Sequence, residues 1–179
     1  LGRGLIRVLH AGHPAASARL AIRGRAASRC LRTVTDMADF ALHLVVEDVQ
    51  ASVRFYEEAL GARTTRMLHM PDGTIAIADL EIDGLPIALG PPIPGSPLAT
   101  PRSTGASVAA YRLLVSDADA AMERATAAGA EVSSPVQDAF WGVRTGEILD
   151  PSGHRWAFDQ VLREVSVEEI EAQLAAMLG

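Results

Sequence analysis

Residues 40–62 read FALHLVVEDVQASVRFYEEALGA, and residues 107–130 read SVAAYRLLVSDADAAMERATAAGA. Each stretch opens on an apolar run that ends in an acid, Asp48 or Asp117, and that run predicts a strand. Each continues into a helix-period segment closed by a glycine, Gly61 or Gly129. In the first, Val49, Val53, Tyr56 and Leu60 fall at spacings of 4, 3 and 4, which is one apolar stripe of a helix. The registers agree: Asp48 to Asp117 spans 69 residues and Gly61 to Gly129 spans 68. A repeat of this length is more informative than any single motif in the chain.

Working outward, RTTRMLHM (63–70), a PDG turn (71–73), TIAIADLEI (74–82), an Asp83-Gly84 turn and LPIALG (85–90) complete a strand–helix–strand–strand–strand unit. EVSSPVQDAFWG (131–142), VRTGEIL (143–149), a DPSG turn (150–153) and HRWAFDQVL (154–162) complete a second. Between them, PPIPGSPLATPRSTG (91–105) has five prolines and no apolar period, and reads as a linker. The tail SVEEIEAQLAAML (166–178) is a helix: Ser166 and Glu169 form a capping-box pattern, and Val167, Ile170, Leu174 and Met177 form its stripe. It reads as a structural or dimer-packing helix. The expected organisation is an extension (1–36), a first βαβββ module (37–94), a linker (95–106), a second module (107–165) and a C-terminal helix (166–179), in an α+β fold.

The chain has 179 residues and a formal charge of −6. That sum hides two opposed parts. Residues 1–36 hold seven of the 16 Arg and one acid, giving +6; the remaining nine Arg and 21 acids give −12. All eight aromatic residues lie after position 37, so the first 36 residues have little with which to build a core. Their Arg-rich, nearly acid-free composition reads as an extension upstream of a start at Met37, with a targeting or interaction arm as the alternative. Cys30 alone cannot build a disulfide framework or a multi-cysteine metal site. No run approaches the ~18 apolar residues of a membrane span. The acidic part disfavours nucleic acid. No G-x-S-x-G, P-loop or dinucleotide-binding glycine pattern occurs. The expectation is a cytoplasmic protein.

VVEDVQASVRFYEEALGA (45–62), QDAFWGVRTGEILDPSGHRW (137–156) and REVSVEEI (163–170) together resemble the vicinal oxygen chelate superfamily, which includes glyoxalase I, bleomycin-resistance proteins, fosfomycin-resistance enzymes and extradiol dioxygenases. The last two stretches resemble its PhnB-like, bleomycin-resistance-type subgroup. The resemblance covers about residues 39–178. It implies tandem βαβββ units whose sheets roll into open, barrel-like shapes around a concave ligand pocket, and it implies frequent homodimers. Metal-using members place one ligand near each of four strand centres. The corresponding positions here are Ala41, Ala110 and Ala157, with Ile87, Ala88 or Leu89 as the fourth, and none of these side chains binds a divalent ion. The expectation is therefore no metal and no cofactor.

Period-two parity groups Ala41 with His43, Ala110 with Arg112, and Ala157 with Arg155 and Asp159. His43 and Arg112 stand at matching positions of the two units, each five before the strand-ending Asp. They are expected to fix a polar or anionic group of a ligand. Met67 and Met70, with Phe140 and Trp141, lie in equivalent hairpins and would offer polarizable and aromatic surfaces to a flat ligand. Trp156 and Phe158 alternate with Ala157 and read as core. The reading is a small-molecule binding protein that sequesters an antibiotic or other aromatic ligand. The alternative is a lyase, isomerase or dioxygenase-type enzyme with His43 as its catalytic base and Arg112 beside a developing anion.

Overall fold

The computed structural model describes residues 40–178. The first unit is β1 (Leu42–Val45), α1 (Val49–Leu60), β2 (Arg63–His69), β3 (Ile75–Ile82) and β4 (Leu85–Gly90). A one-turn helix, α2 (Pro101–Thr104), follows. The second unit is β5 (Ala110–Leu114), α3 (Ala118–Ala127), β6 (Glu131–Asp138), β7 (Val143–Leu149) and β8 (Arg155–Val161), and α4 (Val167–Leu178) ends the chain. No helix among the described residues is long and apolar enough to cross a membrane.

Both sheets have four strands in the same order, β1-β4-β3-β2 and β5-β8-β7-β6. The first strand of each runs parallel to the last, and the other pairs are antiparallel. Neither sheet closes into a barrel. The parallel pairing follows from the helix, which carries the chain back over the sheet so that the next strands return as hairpins.

The helices start where Asp48 and Asp117 cap them, each accepting from the backbone N–H three residues on at 2.9 and 3.0 Å. Gly61, at φ +67°, ends α1 in the left-handed conformation. The stripe of α1 is buried through Val49, Val53 and Tyr56. On the sheets, one parity meets the helices: Leu44, Ala78, Leu80, Ile87 and Leu89 in the first, Ile148, Trp156 and Phe158 in the second. α1 packs on α3, and side chains of both units form one apolar cluster. At about 25 cal/mol per Å² this shared burial is the main force joining the halves.

Polar contacts then fix the joint. Tyr56 Oη donates to Asp150 Oδ2 at 2.8 Å, and Asp150 Oδ1 accepts from the backbone N–H of Ser152 and His154 at 2.9 and 2.8 Å. His154 Nε2 lies 2.8 Å from the Val45 carbonyl oxygen. The Glu47 N–H donates to Ser152 Oγ at 3.0 Å. Burial, then the negative charge of Asp150, hold the Tyr56 phenol well above its ordinary pKa.

The stretch read as linker contains α2. Thr100 caps it and accepts from Ser103 N at 3.1 Å, while Pro101 takes the first helical position. The turn is too short to leave an apolar period.

Candidate functional site

The parity that buries one face of each sheet against the helices leaves the other face open. On the first sheet, His43 stands beside Ala88 on β4, and Asp79 of β3 follows next across. On the second, Arg112 stands beside Ala157 on β8, and Glu147 of β7 follows. His43 and Arg112 thus occupy the same position of two duplicated sheets. Of the three candidates on the fourth strand, Ile87 and Leu89 point into the core and Ala88 lies on the open face. Among the described residues, no group of three or more His, Cys, Asp or Glu is gathered to hold a metal ion.

The two open faces differ in chemistry. On the second, Asp159 is buried at 4% exposure. It accepts from Arg112 Nε at 2.7 Å and from Thr145 Oγ1 at 2.5 Å, and Arg112 Nη2 closes on the same carboxylate. Arg155 Nε donates to Glu147 Oε2 at 2.7 Å. The Arg112 cation is therefore matched by a fixed anion. The pair still presents spare N–H donors to a polar group, with little net charge.

On the first sheet the charged groups lie toward the β2 edge, where Arg66 Nε donates to Asp79 Oδ2 at 2.6 Å and Arg63 Nη2 to Glu81 Oε2 at 2.8 Å. Around His43 the face is apolar. A cavity of about 50 Å³ is bounded by His43, Val45, Ile77 and Gly90 on the sheet and by Pro91, Ile93, Ser96 and Leu98 from the connector. Gly90 lets the ring settle close to the strand: a Cβ at that position would lie 3.1 Å from His43 Nε2, and the imidazole would have to give by a few tenths of an ångström. A second, shallower cavity of about 280 Å³ lies by α2 and the starts of β6 and β8, lined by Arg102, Ser107, Glu131 and Leu149 among others. Neither cavity brings His43 and Arg112 together.

The hairpin residues are also dispersed. Met67 pairs with Ala78, which is fully buried, and packs against the core cluster on the side away from His43. Met70 is 52% exposed beyond the end of β2. Phe140 and Trp141 meet edge to face, centroids 4.8 Å apart, and Trp141 is 41% exposed. Arg144 steadies their hairpin: Nη1 donates to Asp138 at 2.6 Å, and Nε and Nη2 to Asp119 of α3 at 2.6 and 2.9 Å. Those bonds hold the Asp119 carboxyl below its usual range and raise the guanidinium further. Neither cavity is lined by any of these four residues.

A family model described as Glyoxalase/Bleomycin resistance protein/Dioxygenase superfamily matches residues 36–158. The chain belongs to this superfamily. An uncharacterized protein of Mycobacterium bovis is 37% identical over 137 residues, which cover 75% of this chain and 90% of that one. Among solved structures, TioX from Micromonospora sp. ML1 is 29% identical with a TM-score of 0.56, covering 70% of this chain and all of TioX. A glyoxalase/bleomycin resistance protein/dioxygenase from Nocardioides is 26% identical with a TM-score of 0.56, covering 76% and 91%. TnmS3 of Streptomyces sp. CB03234, described as an antibiotic binding protein, shares the fold at 19% identity and a TM-score of 0.52, covering 73% and 99%.

Sequence reasoning placed His43 and Arg112 but missed the connector and Gly90. Proline-rich segments lack the periodicity on which such reasoning depends. Only the glycine closing LPIALG hinted that something approaches the strand there.

Proposed function

We propose that this superfamily member is a metal-independent, cytoplasmic binding protein for a small aromatic molecule, with an antibiotic as one such ligand. The observation that carries the reading is the set of alanines, Ala41, Ala110 and Ala157, at positions the resemblance assigns to metal ligands, with Ala88 the one of the three fourth-strand candidates that lies on the open face. These side chains offer no donor to an ion. On the first sheet a small cavity lies beside His43. The antibiotic-binding description of TnmS3 supports the idea that this fold can hold such a molecule. His43 is the first anchor in this reading. Arg112 on β5 and the Phe140–Trp141 pair at the β6–β7 turn are further, separate contact points in this reading, with Met70 at its own hairpin tip; Met67 supports the sheet from behind.

A homodimer goes with the proposal. No residue of α4 is buried, and Val167, Leu174 and Met177 expose 49%, 44% and 71% of their surfaces. An apolar stripe of this kind is a ready contact for a second copy.

Elemental analysis of the purified chain, together with titration of planar aromatic drugs followed by tryptophan fluorescence, tests the reading. A Trp141→Phe control separates Trp141 from the buried Trp156. Stoichiometric divalent metal, or no response to any planar compound, overturns it. The enzymatic alternative, with His43 as base, requires a turnover that His43→Ala abolishes.

A further inference from the structure

We propose that the connector 91–99 is a hinged wall of the His43 cup, and that the cup takes a phenol-type ring whose hydroxyl bonds to the imidazole. The proposal rests on the binding reading above and assigns it a place, a moving part and a ligand class.

The connector is tied at both ends. The Val46 N–H donates to the Gly90 carbonyl at 2.9 Å. Thr100, 1% exposed, donates its hydroxyl to Glu47 Oε1 at 2.8 Å. Both ties meet the chain immediately after β1. Between them the segment holds itself: Ser96 N–H donates to the Ile93 carbonyl at 3.0 Å, and Leu98 N–H to Ser96 Oγ at 3.1 Å. Gly95, at φ +81°, allows the turn. Ile93 and Leu98 edge the cup yet stay 66% and 56% exposed. Swinging them outward therefore uncovers little further apolar surface, and segments with few buried contacts open at low cost.

The volume requires such motion. About 50 Å³ is a third of the ~150 Å³ cavity known to take up benzene. As it stands the cup admits only a ring edge; a whole ring enters when the wall moves.

The lining selects the ligand. Val45, Ile77, Pro91, Ile93 and Leu98 give apolar walls, and of the cup's residues only His43 carries a titratable group. The neighbouring acids Asp79 and Glu81 are held by Arg66 and Arg63, so no uncompensated charge on that sheet calls for a charged ligand. A flat apolar body with one neutral group that both donates and accepts matches a phenol hydroxyl against an imidazole.

Full-length protein is titrated with 4-methylphenol, whose hydroxyl stays neutral near pH 7, and with toluene, which lacks the hydroxyl, while backbone amide NMR shifts are recorded. The expected result is about tenfold tighter binding of 4-methylphenol, with shifts at 43–46, 76–77 and the non-proline residues of 90–99. His43→Phe should remove that preference while keeping toluene binding. Ile93→Ala/Leu98→Ala should weaken both probes about tenfold, and its far-ultraviolet circular dichroism should match the parent because both side chains are exposed. Shifts confined to Arg112, Phe140 and Trp141 would overturn this assignment and leave the binding reading intact. If neither probe binds while a planar drug quenches Trp141, this inference alone fails. If no aromatic compound binds at all, both fail.

Discussion

Replacing Tyr56 with Phe keeps the ring and removes one hydroxyl from the joint between the two units. The ring stays edge-to-face with Trp156, centroids 5.7 Å apart, so packing is preserved. What is lost is the 2.8 Å bond to Asp150 Oδ2, with the carboxylate only 1% exposed. A hydrogen bond to a charged group contributes roughly 1.5–3 kcal/mol, and Asp150 keeps its backbone N–H partners when this one is lost. We expect about 2 kcal/mol, which at a urea m-value of ~2 kcal/mol/M lowers the midpoint by about 1 M with m unchanged. The pH dependence gives an independent check. The native phenol keeps its proton where the unfolded one loses it, so the unfolded state binds fewer protons above pH ~10 and stability falls as pH rises further. The loss reaches about 1.4 kcal/mol per pH unit from this group until the folded pKa is passed. Tyr111, also raised by burial, adds to it. Tyr56→Phe should therefore be less sensitive to alkali than the parent, though not insensitive. The assay is urea unfolding followed by circular dichroism at pH 7, 9 and 10.5. A midpoint shift below about 0.3 M at pH 7, or an unchanged alkaline slope, would refute the view that this bond couples the two units.

Three further outcomes follow from the same contacts. Gly142→Ala would bring a Cβ within 2.5 Å of the Arg163 carbonyl oxygen at a φ of +88°, so a loss of more than about 2 kcal/mol in urea unfolding is expected. Gly90→Ala should leave the protein folded but displace the His43 imidazole, visible as a shift of its ring proton resonances and weaker binding of aromatic probes. Arg112→Ala leaves the buried Asp159 with only Thr145 among its side-chain partners, and should cost about 1–3 kcal/mol. Arg112→Ala/Asp159→Ala should recover part of that loss if the cost comes from the stranded carboxylate.

The duplicated architecture was legible because each unit repeats a local grammar: a strand, an aspartate cap, an amphipathic helix and a glycine stop. Those signals act within a few residues, so they survive in one sequence. The parity of His43, Arg112, Ala157 and Asp159 was legible for the same reason, since a strand alternates strictly. The partners were not. Nothing near Arg112 announces Asp159, which lies 47 residues on and pairs only because β5 joins β8 in parallel. Met67 looked equivalent to Met70, yet in β2 it pairs with buried Ala78 and turns to the core. The register of a strand with two shifts cannot be counted from its ends.

The contrast between His43 and Arg112 shows what the duplication was free to change. Both positions face out from a sheet beside an alanine, and both sit above the same kind of helix-backed core. In the second unit Asp159 is the residue two beyond that alanine, and a cation at Arg112 is fixed against it. In the first unit the residue two beyond Ala88 is Gly90, which has no side chain to offer. The imidazole settles over that gap, and the proline-rich connector supplies the walls. One glycine thus decides the chemistry of the first face. A carboxylate at that place would turn the cup into a second ion pair, whereas the glycine keeps it apolar with one polar anchor. Gly90→Asp should accordingly abolish aromatic binding at His43 while leaving the second sheet's Arg112–Asp159 pair unaltered, and retention of full affinity in that variant would show that the ligand is held elsewhere.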